Sequence, residues 1–247
     1  MKYKALFLDV DGTTVVHGVK NLPSIRVTQA IKAAHSNIHI CLATGRPLYV
    51  AQSILDHLNL SGPCVLSGGT QIYDPVKKTM LMEFPLQKHH VSDIYAYCRS
   101  HNLDVNIFDG KKDTLFHGER LKKKILSLYI PKIDPQIVDA MMKDLQKIPN
   151  LNVFKIPSWT PGFMSIDIMA KDASKLHGIV EIAKLLHIQT HEMIGVGDGY
   201  NDFPLLLACG LKIAMGNAVP ELKAIADFVA PGVEEDGVAA VIEKFIL

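Results

Sequence analysis

Leu6-Phe7-Leu8-Asp9-Val10-Asp11-Gly12-Thr13-Thr14 begins as an apolar run, meets two carboxylates placed two residues apart, and breaks at glycine. A strand buried in a parallel sheet is a short apolar run ended by turn chemistry, and the loop beyond its carboxyl end is where open α/β sheets hold ligands. Two acids at that place have two readings. One is a polar cap on a strand end, leading into an Asx or glycine turn. The other is a nucleophile, a proton carrier and a metal ligand gathered in one loop.

Outward from this stretch the chain alternates strand and helix. After the strand over 5–8, Ser24 caps a helix whose inner face is Ile25, Val27, Ala30, Ile31, Ala33 and Ala34. A second strand over 38–42 ends in Ala43-Thr44-Gly45-Arg46-Pro47, and a helix then carries Val50, Ile54, Leu55 and Leu58 inward. A third strand over 64–66 ends at Ser67-Gly68-Gly69-Thr70. Such alternation predicts a parallel sheet with right-handed crossovers. From about Phe84 the texture changes to a helix over 89–100, strand-like pieces over 104–108, 114–117, 126–130, 151–156 and 164–169, and a helix over 135–146, with prolines at 131, 135, 149, 157 and 161. The alternation resumes with helices over 174–186, 202–208, 219–226 and 237–245 and strands over 193–196, 212–215 and 228–230. Residues 1–84 and 173–247 are therefore expected to form one core domain, and 85–172 an inserted second one.

The totals narrow the function. With 26 basic against 25 acidic residues the net charge is +1, so no overall field draws nucleic acid or an anionic membrane. Cys41, Cys64, Cys98 and Cys209 fit no metal spacing and sit in mostly apolar stretches, which suits a reducing compartment. The N-terminal residues lack the long apolar region of a signal peptide, and no run approaches a transmembrane length, so a soluble, cytoplasmic protein is expected.

Further patches share the geometry of the opening stretch. Thr44-Gly45 offers a hydroxyl and a backbone N–H at a helix entrance, which suits a phosphate oxygen and equally suits an ordinary cap before Pro47. Lys175, in Lys171-Asp172-Ala173-Ser174-Lys175-Leu176-His177-Gly178, stands near a helix start, where the helix dipole disfavours a cation. Gly195-Val196-Gly197-Asp198-Gly199-Tyr200-Asn201-Asp202 adds two acids and an amide at another strand end. The glycines miss the Gly-x-Gly-x-x-Gly dinucleotide fingerprint because Tyr200 stands third; no Gly-Lys-Ser/Thr of a Walker loop is present; and threonines occupy positions 13 and 14, where an EF-hand loop needs an acid or amide and a glycine.

Asp9-Val10-Asp11-Gly12-Thr13, Thr44, Lys175 and Gly197-Asp198-Gly199-Tyr200-Asn201-Asp202, in this order, resemble the four motifs of the haloacid dehalogenase-like hydrolase superfamily across the whole chain. The insert between the second and third motifs is similar to the α/β cap of the Cof-type phosphatases. The resemblance implies an α/β fold, with a Rossmann-like parallel-sheet core and an inserted α+β cap domain. It implies that Asp9 attacks phosphorus, that Asp11 serves as acid and then base, and that Asp11, Gly12, Thr44, Gly45, Lys175 and Asn201 help hold the phosphate. Mg²⁺ would be held by Asp9, the Asp11 carbonyl and Asp198, with Asp202 behind them. The substrate class would be a small phosphorylated metabolite, with sugar phosphates leading. A phosphohexomutase and a phospho-accepting signalling domain are the competing readings. Relatives often carry Asn-Gly where Ser67-Gly68 stands, so an amide contact near the phosphate would be weaker or lost, and Thr14 replaces a usual leucine. In the insert, His89-His90 and the basic run Arg120 with Lys122 to Lys124 read as surface, and Trp159 near Phe163 reads as a loop anchor.

Overall fold

In a computed structural model, which describes residues 2–18, 21–158 and 160–247, the chain divides into two compact units, Met1–Met82 with Lys175–Leu247, and Glu83–Ser174. Trp159 lies outside the described residues.

The first unit begins with β1 (Ala5–Leu8), α1 (Ile25–Ala34), β2 (His39–Leu42), α2 (Leu48–Leu58) and β3 (Cys64–Leu66). Next come a short hairpin, β4 (Gln71–Asp74) and β5 (Thr79–Glu83), and the second unit's elements: α3 (Lys88–Ser100), β6 (Asn106–Phe108), β7 (Asp113–Leu115), β8 (Ser127–Ile133), α4 (Pro135–Leu145), β9 (Leu151–Pro157) and β10 (Met164–Ala170). The first unit resumes with α5 (Lys175–Leu186), β11 (Met193–Gly197), α6 (Phe203–Ala208), β12 (Leu211–Ala214), α7 (Pro220–Ile225), β13 (Phe228–Val229) and α8 (Gly237–Phe245).

The core sheet runs β13-β12-β11-β1-β2, with every pair parallel. Both faces of β1 are buried, since Ala5, Leu6, Phe7 and Leu8 are all at most 1% exposed, as a parallel sheet between helices requires. Full burial of Leu6, Phe7 and Leu8 is worth about 1.5–3 kcal/mol each. The helices form two sets, α1 with α2 and α8, and α5 with α6. Ser24 caps α1 by accepting the Val27 N–H at 3.1 Å. Because the chain steps from β1 to β2 on one side and later fills β11 to β13 on the other, β1 stands at the point where the order reverses, the place such sheets bind ligands.

One strand departs from the expectation. β3 lies beside β2, joined to it by a parallel Ala43–Val65 bridge, and pairs antiparallel with β4, so its continuous ladder is that of a small β3-β4-β5 sheet beside the core sheet. The hairpin was not anticipated; its turn is made by the Asp74 carboxylate, which accepts the Val76 and Lys77 N–H groups.

The second unit is α+β. Its antiparallel sheet, ordered β7-β6-β8-β10-β9, turns Leu128, Ile130, Val153, Ile166 and Ile168 into one apolar core with Val91 and Ile94 of α3 and Val138 and Met141 of α4. Tyr129 and Asp167, paired across β8 and β10, alternate with those core residues and point to the other face, where the Tyr129 hydroxyl meets Ser165 Oγ at 2.8 Å. Burial, with Asp113 nearby, pushes the Asp167 carboxyl up to about 7. His90 is buried on α3, correcting the surface reading of that histidine, whereas His89 is exposed. Among the described residues no helix is long and apolar enough to cross a membrane.

Candidate active site

The carboxyl ends of β1, β2 and β11 carry Asp9, Thr44 and Asp198, and the first residue of α5 is Lys175. Lys175 is 3% exposed; its ammonium donates to Asp9 Oδ1 at 2.6 Å and to Asp202 Oδ1 at 2.5 Å. That partnership explains a cation at a helix start: two buried carboxylates outweigh a dipole effect of at most about 1–2 kcal/mol. Burial works against the ammonium, but Asp202 and Asp9 hold its pKa above the usual lysine range.

Asp202 is wholly buried and saturated. Beyond Lys175, its Oδ2 accepts the N–H groups of Asp198 and Gly199, each at 2.9 Å, which ties down the loop after β11. Gly197 has to be small there, because a Cβ would lie 2.5 Å from Asp202 Cβ. Asp198 accepts the Thr13 hydroxyl at 2.8 Å. Gly12 has φ 81°, and a Cβ on it would come within 2.3 Å of Asp198 Oδ2, so both conformation and space demand glycine. The Gly12 carbonyl accepts the Asn217 amide at 2.8 Å, and Thr14 donates to the Asp9 carbonyl at 2.5 Å.

On the β2 side, Thr44 is buried and its hydroxyl oxygen accepts the Arg46 N–H at 3.1 Å, leaving its own O–H to donate. Beside it a Cβ on Gly45 would meet nothing within 4 Å, so open space borders that backbone. Asp11, by contrast, is turned to Arg46: Nε donates to Oδ2 at 2.7 Å and Nη2 to Oδ1 at 2.5 Å. Asn201 is exposed on the same turn as Asp202, and the groups that hold Lys175 are Asp9 and Asp202. Ser67 takes φ 49°, a left-handed conformation that asparagine adopts more readily, and donates its N–H to the Arg46 carbonyl at 3.0 Å.

Thr13 was quoted within the first motif without a role of its own, and Arg46 and Asn217 were not singled out from sequence. Arg46 had a usable signal: it follows the strand-end Thr44-Gly45 directly, in a loop already marked as functional.

The donor set suits a hard cation. Asp9, Asp198 and Asp202 place carboxylate oxygens within 4.8 Å of one another, and when all three are ionised they outnumber the Lys175 ammonium that bonds two of them. Uncompensated buried charge is costly, and all-oxygen donors are what Mg²⁺- or Ca²⁺-class ions take. The strain shows in the acids. Burial and Asp202 push Asp9 up to about 8 against the pull of Lys175, and burial pushes Asp198 up to about 6 despite the Thr13 hydrogen bond. Both folded values lie above the unfolded value of 3.8, so ionisation removes stability from the cation-free protein as pH rises from about 4 to about 8. A bound divalent cation should reverse this. Added Mg²⁺ is expected to raise Tm by a few degrees at pH 8 and by little at pH 5.5; a shift that is equal at both pH values, or absent at pH 8, would count against these carboxylates as ligands.

A parallel sheet with acids at its central strand ends, a buried lysine and an inserted α+β unit defines a class of hydrolytic α/β enzymes. The chain belongs to the haloacid dehalogenase-like hydrolase family, whose model matches residues 6–155 and 119–242. Its relatives include YkrA of Bacillus subtilis strain 168, 27% identical over 99% of this chain and 98% of its own. Another from that organism, 5-amino-6-(5-phospho-D-ribitylamino)uracil phosphatase YcsE, is 24% identical over 99% of this chain and 96% of its own. Among solved structures, that of the sugar phosphatase BT4131 superposes with a TM-score of 0.80 at 22% identity, covering 98% of each chain.

Proposed function

We propose that the protein is a Mg²⁺-dependent phosphatase of small phosphorylated metabolites, with phosphorylated sugars and sugar alcohols as its leading substrate class. The observation that carries this reading is the buried Asp9–Lys175–Asp202 ion cluster set against Asp198, with Thr44 and the open Gly45 backbone on the adjoining strand end. Its relatives point to the same class: YcsE is named for a phosphoribitylamino compound and BT4131 for sugar phosphates.

In this reading Asp9 is the nucleophile. Its free oxygen attacks phosphorus while Lys175, the Thr44 hydroxyl and the Gly45 N–H hold the equatorial oxygens, the positioning and charge work on which phosphoryl transfer depends. The Gly12 N–H, expected from sequence to share this work, is already donated to the Val15 carbonyl at 2.8 Å. Asp11 gives its proton to the departing oxygen, then takes one from the water that opens the aspartyl phosphate. Mg²⁺, held by Asp9 and Asp198 with the saturated Asp202 behind them, would neutralise charge on the phosphoryl group. Asn201 borders the phosphate site. The unit over residues 83–174 is the cap that selects the leaving group.

Incubation with Mg²⁺ and a panel of hexose, pentose and sugar-alcohol phosphates, read as released phosphate, tests this. Steady release from at least one member is expected. Conversion of a hexose 1-phosphate to the 6-phosphate would instead make the protein a mutase, and stable phosphorylation of Asp9 without turnover would make it a signalling receiver.

A further inference from the structure

Arg46 has no role in the chemistry above, yet its side chain is only 7% exposed. Its guanidinium grips both Asp11 oxygens from one edge, and Nη2 also donates to the Gly18 carbonyl at 3.0 Å. Through its backbone the same residue donates to Thr44 Oγ1 and accepts the Ser67 N–H. Arg46 thus joins the β1 loop, the Gly18 turn, the Thr44 loop and the β3 loop at one point. A two-point guanidinium contact fixes the plane of a carboxylate as well as its place, which a lysine point charge does not.

We propose that Arg46 is a positioning residue that sets where the Asp11 carboxyl stands when it serves the leaving oxygen. The inference rests on the phosphatase reading. In the first step a bond forms from Asp9 to phosphorus and the ester P–O bond breaks, its electron pair passing to the leaving oxygen. That oxygen takes the proton of Asp11, so the alcohol departs neutral and Asp11 is left as the carboxylate that Arg46 holds in this structure. Water later returns a proton to Asp11 as it attacks the aspartyl phosphate. In this role Arg46 acts through Asp11 rather than on the phosphoryl or leaving group.

Esters differ in how much they need that proton, and this separates positioning from mere structure. An aliphatic sugar phosphate needs an acid, whereas 2,4-dinitrophenyl phosphate has a leaving group stable without one. General-acid assistance is worth about 10²–10⁴-fold. Arg46→Ala and Arg46→Lys are each expected to lower kcat/KM for the sugar phosphate by about 10²-fold or more, and for dinitrophenyl phosphate by less than about 5-fold. Guanidinium ion should restore part of the loss in Arg46→Ala. Equal losses on both esters in the folded variants, or no loss on either, would overturn the proposal. If Arg46→Ala fails to fold, Arg46→Lys, which keeps the charge and loses the two-point grip, decides it alone. Absence of turnover of both esters by the unaltered protein would overturn the phosphatase reading and this inference with it; a normal parent enzyme with an unselective variant overturns only the inference.

Discussion

Asp9→Asn is expected to abolish phosphate release, lowering kcat by at least about 10⁴-fold, and at the same time to make the cation-free protein more stable. The first effect follows from the loss of the carboxylate proposed to attack phosphorus. The second follows from where that carboxylate sits. Asp9 is buried beside Asp202 and Asp198, and its carboxyl is pushed up to about 8, so holding it in the fold costs stability at neutral pH. An asparagine of the same shape still accepts the Lys175 hydrogen bond and drops the repulsion. At about 1.4 kcal/mol per pK unit the rise from 3.8 to about 8 caps the gain at about 5 kcal/mol at pH 7.5, and the loss of the charge-assisted bond to Lys175 lowers it to about 2 kcal/mol. Because each kcal/mol is worth about 2–4 °C at this size, a rise in Tm of several degrees is expected in EDTA at pH 7.5. The rise should shrink toward pH 5, because the cost of keeping the folded carboxyl protonated falls as the pH approaches its unfolded value of 3.8. Turnover by folded Asp9→Asn would remove Asp9 as nucleophile; a fall in Tm would remove the charge strain inferred at the site. On the proposed reading Asp9 exchanges stability for function, a common trade at functional sites.

The two acids at the end of β1 could be found from sequence because the chemistry is local: an apolar strand, a carboxylate on each side of one residue, and a glycine that no larger residue could replace beneath Asp198. The same holds for Thr44, Lys175 and the loop after β11, each a strand-end or helix-start feature. What stayed hidden depends on partners far along the chain. Thr13 finds Asp198 at a separation of 185 residues, Asn217 finds Gly12 at 205, and Arg46 finds Asp11 at 35, so none of these bonds leaves a pattern within a sequence window. β3 was read correctly as a strand and lies parallel beside β2 through one bridge, but its antiparallel ladder with β4 was missed, because a three-residue apolar run carries no information about the partner on its other edge. His90 was read as surface because of its residue type; the spacing that places it on the buried face of α3 with Val91, Ile94 and Cys98 was the better guide.

Lys175→Met should act in the opposite direction to Asp9→Asn. Its ammonium is the cation that faces Asp9 and Asp202 in the buried cluster, and removal of one partner from a buried ion pair costs about 3–5 kcal/mol because the other charges remain. Methionine nearly preserves the volume, so packing loss is small and the effect reports charge. A fall in Tm of roughly 10 °C is expected at pH 8 in EDTA. The sign with pH follows from the acids. The folded pKa values of Asp9 and Asp198, already raised, would rise further without the ammonium, so protonation relieves the cluster and the deficit should narrow from pH 8 to pH 5. Mg²⁺ should recover part of the stability and none of the turnover, since a cation among Asp9 and Asp198 replaces the lost charge but not the donor that Lys175 offers a phosphoryl oxygen. The pair Asp9→Asn with Lys175→Met separates the two effects: if the charges are coupled as their 2.6 Å contact requires, the double variant is more stable than Lys175→Met alone by more than Asp9→Asn gains in the wild-type background. Additive Tm changes would mean that Lys175 compensates Asp202 rather than the nucleophile, and the lysine would then act on the substrate without tuning the carboxylate that attacks it.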